Sequence, residues 1–181
     1  QDYTSIPSTF TWTATYGSLT GGAGSGSGNI NETLVNGTYL PVNAVYTITP
    51  TATGCVAVGS TFTITITIYP KPVGTGTTIS DISSNETFTI TCQDYVTLTG
   101  CTFTWTAAYG SNITGGAGSG TGNITETLIN SGVGISNVVY TIIPTANGCV
   151  GNSFQITVPI IPLVSVSLSG YVIGENTILN W

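Results

Sequence analysis

Hydrophobic and polar residues alternate along most of this chain. In "TFTITITIY", Phe62, Ile64, Ile66 and Ile68 share one face and threonines fill the other. "ETFTITC" places Phe88, Ile90 and Cys92 together, and "CTFTWTA" does the same with Cys101, Phe103, Trp105 and Ala107. A period of two, built from β-branched and aromatic residues, predicts strands with one buried face. No helical period is present. Turns rich in glycine, asparagine and serine separate the runs. Six or seven short strands per unit predict a β-sandwich, with Trp12 and Trp105 suited to its buried central strand.

The pattern is written twice. "FTWTATYGSLTGGAGSGSGNINETL", from Phe10 to Leu34, returns as "FTWTAAYGSNITGGAGSGTGNITETL", from Phe103 to Leu128. Cys55 and Cys149 lie 94 positions apart, as do Tyr46 and Tyr140. Phe10 and Phe103 are 93 apart, because the second copy has one more residue before its glycine run. A repeat of this length is one small β-domain. The expected division is a first repeat over residues 1–69 without its N-terminal strands, a complete second repeat over 70–163, and the opening strands of a third over 164–181. The proline-containing stretches "YPKPVGTG" and "IIPLV" mark the joins and favour extended, semi-rigid connections. The last segment, "LSGYVIGENTILNW", echoes "ISDISSNETFTITC". With Gln1 in place of an initiator methionine and an abrupt stop at "TILNW", the chain reads as a window of a longer, processed polypeptide.

Composition narrows the function. Only 4% of residues are charged: one lysine, Lys71, and seven acids, with no histidine. Ordinary domains carry about 25%. The surface must therefore be threonine, serine, asparagine and glycine, while a hydrophobic content of 40% is enough for a core. One lysine cannot neutralise a nucleic-acid backbone. Without histidine the commonest general base and metal ligand is missing. No run approaches the roughly 20 apolar residues of a membrane span. Neither catalysis nor a cofactor is expected.

The glycine runs, Gly21 to Gly28 and Gly115 to Gly122, lack the spacing and the lysine of a phosphate cradle and the aspartates of a calcium repeat. They read as permissive inter-strand loops able to take positive φ. The alternative is a contact with a neighbouring chain through Gly21, Gly22, Gly24, Gly115, Gly116 and Gly118. Glu32 and Glu126 occupy matching places, as do Asp2 and Asp94, and their expected role is surface solubilisation. Calcium held by Asp81, Glu86 or Asp94 is a structural alternative. Asn31, Asn36, Asn85, Asn112 and Asn123 begin N-x-S/T sequons, which matter only in a host that glycosylates asparagine. Tyr16, Tyr109 and Tyr171 are candidates for glycan or partner contacts, or for internal packing.

The succession "FTWTA", glycine run, "NINETL", "VYTITPTA", "GC" and "FTITITIYP" resembles the PKD-like, immunoglobulin-like repeats of very large surface proteins in Bacteroidetes-type bacteria. The matching positions are Phe103 to Ala107, Gly115 to Leu128, Val139 to Cys149 and Phe154 to Val158, with their partners in the first copy. The resemblance implies an all-β fold of tandem immunoglobulin-like sandwich repeats. It also implies export to the cell surface, often by the type IX route, as spacer, stalk or adhesive module. Members often carry an early cysteine where "ISDISSNETF" has none, so the resemblance does not transfer a disulfide pattern.

Cys55, Cys92, Cys101 and Cys149 are too scattered for a zinc site, and disulfides are the default for an exported β-protein. Cys92–Cys149 and Cys92–Cys101 are both feasible, with a slight preference for the first. The first repeat has Ser8 in place of Cys101, and it would keep the first bridge only if a cysteine precedes Gln1. The main expectation is a non-catalytic structural module of an extracellular adhesin or filament. Its partners would be neighbouring repeats and other copies of itself. The alternatives are a carbohydrate-binding module recognising surface glycans, and the accessory domain of a secreted hydrolase. Uncharged "TITITI" strands left as open edges would invite strand addition from another subunit.

Overall fold

The computed structural model describes residues 8–52, 54, 59–163, 169–173 and 176–180, the last two segments by their backbone. Asp2, Cys55 and the side chain of Tyr171 lie outside the described residues. Among the described residues the elements are strands, apart from one 3-10 turn at Cys92–Tyr95. The chain forms two compact units, the first of residues 1–73 with 97–101 and 145–151, the second of 74–96, 102–144 and 152–181; the short segments 97–101 and 145–151 continue strands of the second unit and are taken with them.

Unit 1 is one antiparallel sheet. Its strands are β1 (Ser8–Thr15), β2 (Ser25–Ser27), β3 (Val42–Ala52) and β4 (Phe62–Ile68), in the order β2-β1-β3-β4. Trp12 is paired with Ile48 and Gly26, and Tyr46 with Ile64. Trp12, Leu19, Ala44, Tyr46 and Ile48 form its buried core.

Unit 2 begins with β5 (Thr77–Thr78), β6 (Ile82–Ser83) and β7 (Thr87–Ile90). It continues through β8 (Thr102–Tyr109), β9 (Ile113–Thr114), β10 (Ser119–Thr121), β11 (Ile124–Thr127), β12 (Ile129–Asn130), β13 (Ser136–Ala146), β14 (Cys149–Val150) and β15 (Phe154–Ile161). The larger sheet runs β10-β8-β13-β15-β5, with β14 on β13 and β6 on β15. β5 and β6 are parallel to β15. β7 pairs with β11 and covers the large sheet, bringing Phe88 to 6.4 Å from Tyr140 in an edge-to-face contact. The inward residues of both layers, Phe88, Ile90, Phe103, Trp105, Ile124, Leu128, Val138, Tyr140, Ile142, Ile156, Val158 and Ile160, are buried. This is a β-sandwich in which the period-two pattern selects the inner faces. Asn147 and Gly148, both at positive φ, make the two-residue turn from β13 to β14. Two further strands, β16 (Ser169–Ile173) and β17 (Asn176–Asn180), pair antiparallel with each other.

The units differ in one respect that the alternation does not foretell. Phe62, Ile64 and Ile66 on β4 are 46%, 43% and 45% exposed, whereas Phe154, Ile156 and Val158, in the same register on β15, are 6%, 0% and 0% exposed. The reason is the missing cover. Among the described residues of unit 1 nothing pairs with β4 as β5 and β6 pair with β15, and residues 30–33 carry no ladder such as β7 gives β11.

Candidate functional site

The densest polar constellation occurs once in each unit, around a carboxylate. β11 alternates inward at Ile124 and Glu126, and Leu128 follows, so the strand period itself carries Glu126 into the core, where it is 7% exposed. Its carboxylate accepts a hydrogen bond from the Tyr109 hydroxyl (3.1 and 3.2 Å to the two oxygens), one from the Tyr140 hydroxyl, and one from the Ala117 N–H (2.8 Å). The Gly118 N–H then donates to the Tyr109 oxygen at 3.0 Å. Strands β8, β11 and β13 and the glycine loop are thereby tied to one side chain.

Unit 1 repeats this atom for atom. Glu32 accepts from Tyr16 (2.7 and 2.9 Å), Tyr46 (2.7 Å) and the Ala23 N–H (2.7 Å), and Gly24 donates to Tyr16 at 3.1 Å. Desolvation raises the Glu32 carboxyl pKa, but the Ala23, Tyr46 and Tyr16 bonds to the charged form outweigh it and hold the pKa below its ordinary value. Desolvation, and then the neighbouring carboxylate, push the phenols of Tyr16, Tyr46 and Tyr140 up, and desolvation chiefly raises Tyr109. The expectation that Glu32 and Glu126 solubilise the surface is therefore corrected. Both point inward, Glu126 from its strand and Glu32 from the matching extended stretch, because each alternates with Ile and Leu and its carboxylate is met by donors.

The glycines serve the same clasp. A Cβ on Gly22 would sit 2.3 Å from the Tyr16 ring, and one on Gly116 would sit 2.0 Å from the Tyr109 oxygen. On Gly26 and Gly120 it would meet the indoles of Trp12 and Trp105, both at 2.4 Å. Gly21 and Gly115 combine positive φ with the carbonyls of Thr33 and Thr127 close by. Gly24 and Gly118 also have positive φ, but a Cβ there would meet nothing within 4 Å. Gly21, Gly24 and Gly28, like Gly115, Gly118 and Gly122, take positive φ as expected of loops, but the later part of each run departs from that expectation: Ser25–Ser27 and Ser119–Thr121 are the short strands β2 and β10, laid over the tryptophan rings. Each tryptophan also packs edge-to-face on the clasp tyrosine, Trp12 on Tyr46 and Trp105 on Tyr140, both with centroids 5.8 Å apart. Tyr16 and Tyr109 are thus half-buried internal donors.

A second repeated device is an asparagine. Asn130, buried, donates through Nδ2 to the carbonyls of Gly134 (2.9 Å) and Ile160 (2.8 Å) and accepts from the Gly132 N–H. Asn36 does the same to Leu40 and Ile68, both at 2.8 Å, and accepts from Thr38. Of the sequon asparagines Asn31, Asn85, Asn112 and Asn123 are exposed, while Asn36 is buried with its amide nitrogen occupied.

Among the described residues no bridge joins Cys92 to Cys149 or to Cys101 in this structure. Cys92 is fully buried at the end of β7, with Sγ 3.4 Å from the Gly122 carbonyl. The Cys101 thiol turns back on its own turn to donate to the Leu98 carbonyl at 3.0 Å. Burial raises the pKa of both thiols. Asp81, Glu86 and Asp94 are not drawn into a common site: among the described residues no group of three potential ligands could hold a metal. Among the same residues no helix is long and apolar enough to cross a membrane.

An all-β sandwich whose polar constellation is wholly internal defines an immunoglobulin-like module. The family model of the PKD-like domain matches residues 1–72 and again residues 78–163, and the chain belongs to that family. Such modules are typically non-catalytic, structural or adhesive, and commonly extracellular. No curated protein sequence matches the chain. Among solved structures it is similar to the chicken CNTN1 FN1-FN3 domains, at 13% identity, covering all of this chain and 67% of that one with a TM-score of 0.29.

Proposed function

We propose that the chain is a structural repeat module of a large extracellular adhesin or filament, acting as stalk or spacer and as an assembly surface, without catalysis. Residues 1–69, 70–163 and 164–181 are its successive repeats. The observation carrying this reading is the duplication of the clasp. The same carboxylate, two tyrosines, glycine loop and asparagine recur in both units with the same partners. A ligand site needs a few polar groups converging on an accessible concave surface. Here the duplicated groups face inward and stabilise the unit itself. The outer rims of the glycine loops, at Gly24 and Gly118, are left for lateral contact between chains.

Electron microscopy of native material sheared from cells tests this. Regular fibres with a repeat of a few nanometres are expected, the order of length of one short-stranded sandwich (about 3.3 Å per strand residue). Separate compact particles, together with a reproducible hit on a glycan array, would replace the structural reading with a carbohydrate-binding one.

A further inference from the structure

We propose that the outer face of the unit 1 sheet binds ice, through a lattice of threonine side chains that unit 2 does not carry. The inference goes beyond the structural-module reading and does not depend on it.

The alternation that buries Trp12, Tyr46 and Ile48 turns the intervening residues of the same strands outward. On β1 these are Thr9, Thr11, Thr13 and Thr15, all exposed. The registers align them with the neighbouring strands. Thr13 lies between Ser25 on β2 and Thr47 on β3, and Thr47 lies opposite Thr63 on β4. The row on one side is Ser27, Thr11 and Thr49, and the row on the other is Thr15, Val45 and Thr65. Hydroxyl and methyl groups therefore recur in two directions, about 4.8 Å from strand to strand and about 6.7 Å along each strand. Threonine is stiff at χ1, so these groups repeat with the backbone that carries them. Among the described residues the side-chain hydrogen bonds on this face lie at its rims. Thr9 Oγ1 donates to the Thr51 carbonyl at 3.4 Å, and Thr67 Oγ1 to Asn43 at 2.9 Å. The central hydroxyls are left to solvent.

The chemistry of the face names its occupant. No charged or aromatic side chain is turned outward on these four strands. A nucleic acid would need cations here. A sugar would need a concave site with an aromatic platform, and a protein partner would need aromatic or arginine anchors. The face is neutral, and each hydroxyl can both donate and accept, as each water molecule can. Liquid water satisfies these hydroxyls equally well, so one contact gives almost no net binding. A rigid lattice of water differs. Its molecules have no further ordering cost, and many weak contacts act together. The two spacings of the face lie close to the oxygen repeats on the prism face of hexagonal ice. Sheet twist confines the match to the middle rows, around Thr11, Thr13, Thr47, Thr49 and Thr63.

Unit 2 breaks the same lattice. In the places of Thr15, Thr49, Thr63 and Thr67 it has Ala108, Ile143, Gln155 and Pro159. Ile143 instead walls a surface dimple with Thr104, Thr106 and Thr141. The two units share their inward residues and differ on this face, so the fold itself does not dictate the threonines of unit 1.

The test grows ice slowly on a cold finger from a dilute solution of the full 181-residue chain and compares the protein content of ice and liquid. The chain should be enriched in the ice relative to an unrelated globular protein, and ice crystals grown in its presence should become faceted under the microscope. The double variant Thr49→Ile, Thr63→Gln places unit 2's own residues in unit 1. It should lower the enrichment about tenfold while the melting temperature of the protein holds. Thr125→Ile, on the outer face of β11, should leave the enrichment unchanged. A wild-type chain that is not enriched, or a double variant enriched as strongly as wild type, would overturn the inference. Retention on microcrystalline cellulose without enrichment in ice would overturn it in favour of the carbohydrate-binding reading.

Discussion

Replacing Glu126 by alanine removes the acceptor of three donors at once. One of these cannot turn to water, the Tyr140 hydroxyl on a fully buried side chain, whereas Ala117 is an exposed residue of the loop above it. Tyr109 is half-buried and can partly re-solvate. A hydrogen bond to a charged group contributes about 1.5–3 kcal/mol, and a buried donor left unmade costs about 1–3 kcal/mol. With one donor stranded and two released, the expected loss for Glu126→Ala is about 2–4 kcal/mol in unit 2. Glu126→Gln keeps the shape but sets an N–H₂ against at least one existing donor, and should lose about 1–3 kcal/mol. Urea unfolding of the full chain, followed by tryptophan fluorescence, gives the global loss. Hydrogen exchange of the peptide covering Ala117 and Gly118 gives the local one, expected to accelerate about a hundredfold or more in the alanine variant. Thr125→Ala, one residue away on the outward face, should stay within about 0.5 kcal/mol of wild type. A loss below about 1 kcal/mol for Glu126→Ala, or no faster exchange at Ala117, would refute the clasp as a determinant of stability.

Gly116→Ala and Gly120→Ala drive a methyl group into Tyr109 and Trp105 and should each cost about 1–3 kcal/mol. Gly118→Ala meets no atom but must hold a φ of 79°, for about 1–2 kcal/mol; thermal melts separate these variants from wild type. Asn130→Ala strands the Gly134 and Ile160 carbonyls and the Gly132 N–H, and should cost about 2–4 kcal/mol by urea titration. The phenols of Tyr16, Tyr46, Tyr109 and Tyr140 ionise at higher pH folded than unfolded, where the ordinary value is 10.0. Their contribution is therefore complete below pH 10 and is lost as pH rises toward the folded values, so Tm should fall in alkali. Glu32 has the opposite sign: its pKa is depressed, so its contribution is present above the unfolded value of 4.5 and disappears in acid.

The strands were legible because burial on one face forces a period of two, and Phe88, Ile90, Phe103 and Trp105 all point inward as their alternation requires. The same alternation runs through Glu126, whose residue type alone points outward. In "NITETL" the inward positions are Ile124, Glu126 and Leu128, and a carboxylate between two buried aliphatics is itself a signal of an internal partner. Tyr109 and Tyr140, repeated as Tyr16 and Tyr46, were that partner, but a contact between separate strands leaves no mark in local spacing. The glycine runs show a similar limit. Positive φ was readable from composition, whereas the approach of Gly116 and Gly120 to aromatic rings depends on how the loop folds back. The exposed row on β4 follows the alternation of "TFTITITIY" faithfully. Alternation marks which face seeks cover, and the cover itself belongs to other segments.

The parallel pairing of β5 and β6 with β15 has a mechanical consequence. Unit 2 is entered at the start of β5 and left at the end of β15, and these strands run side by side in the same direction. A pull on the polypeptide from both sides of the unit therefore drags them past each other along their length. The bonds that join them, such as Ile79 N–H to the Thr157 carbonyl and Ser84 N–H to the Ile161 carbonyl, must then yield together rather than one after another. Loaded in shear in this way, the pairing should resist stretching more than it would if its bonds were peeled apart in turn.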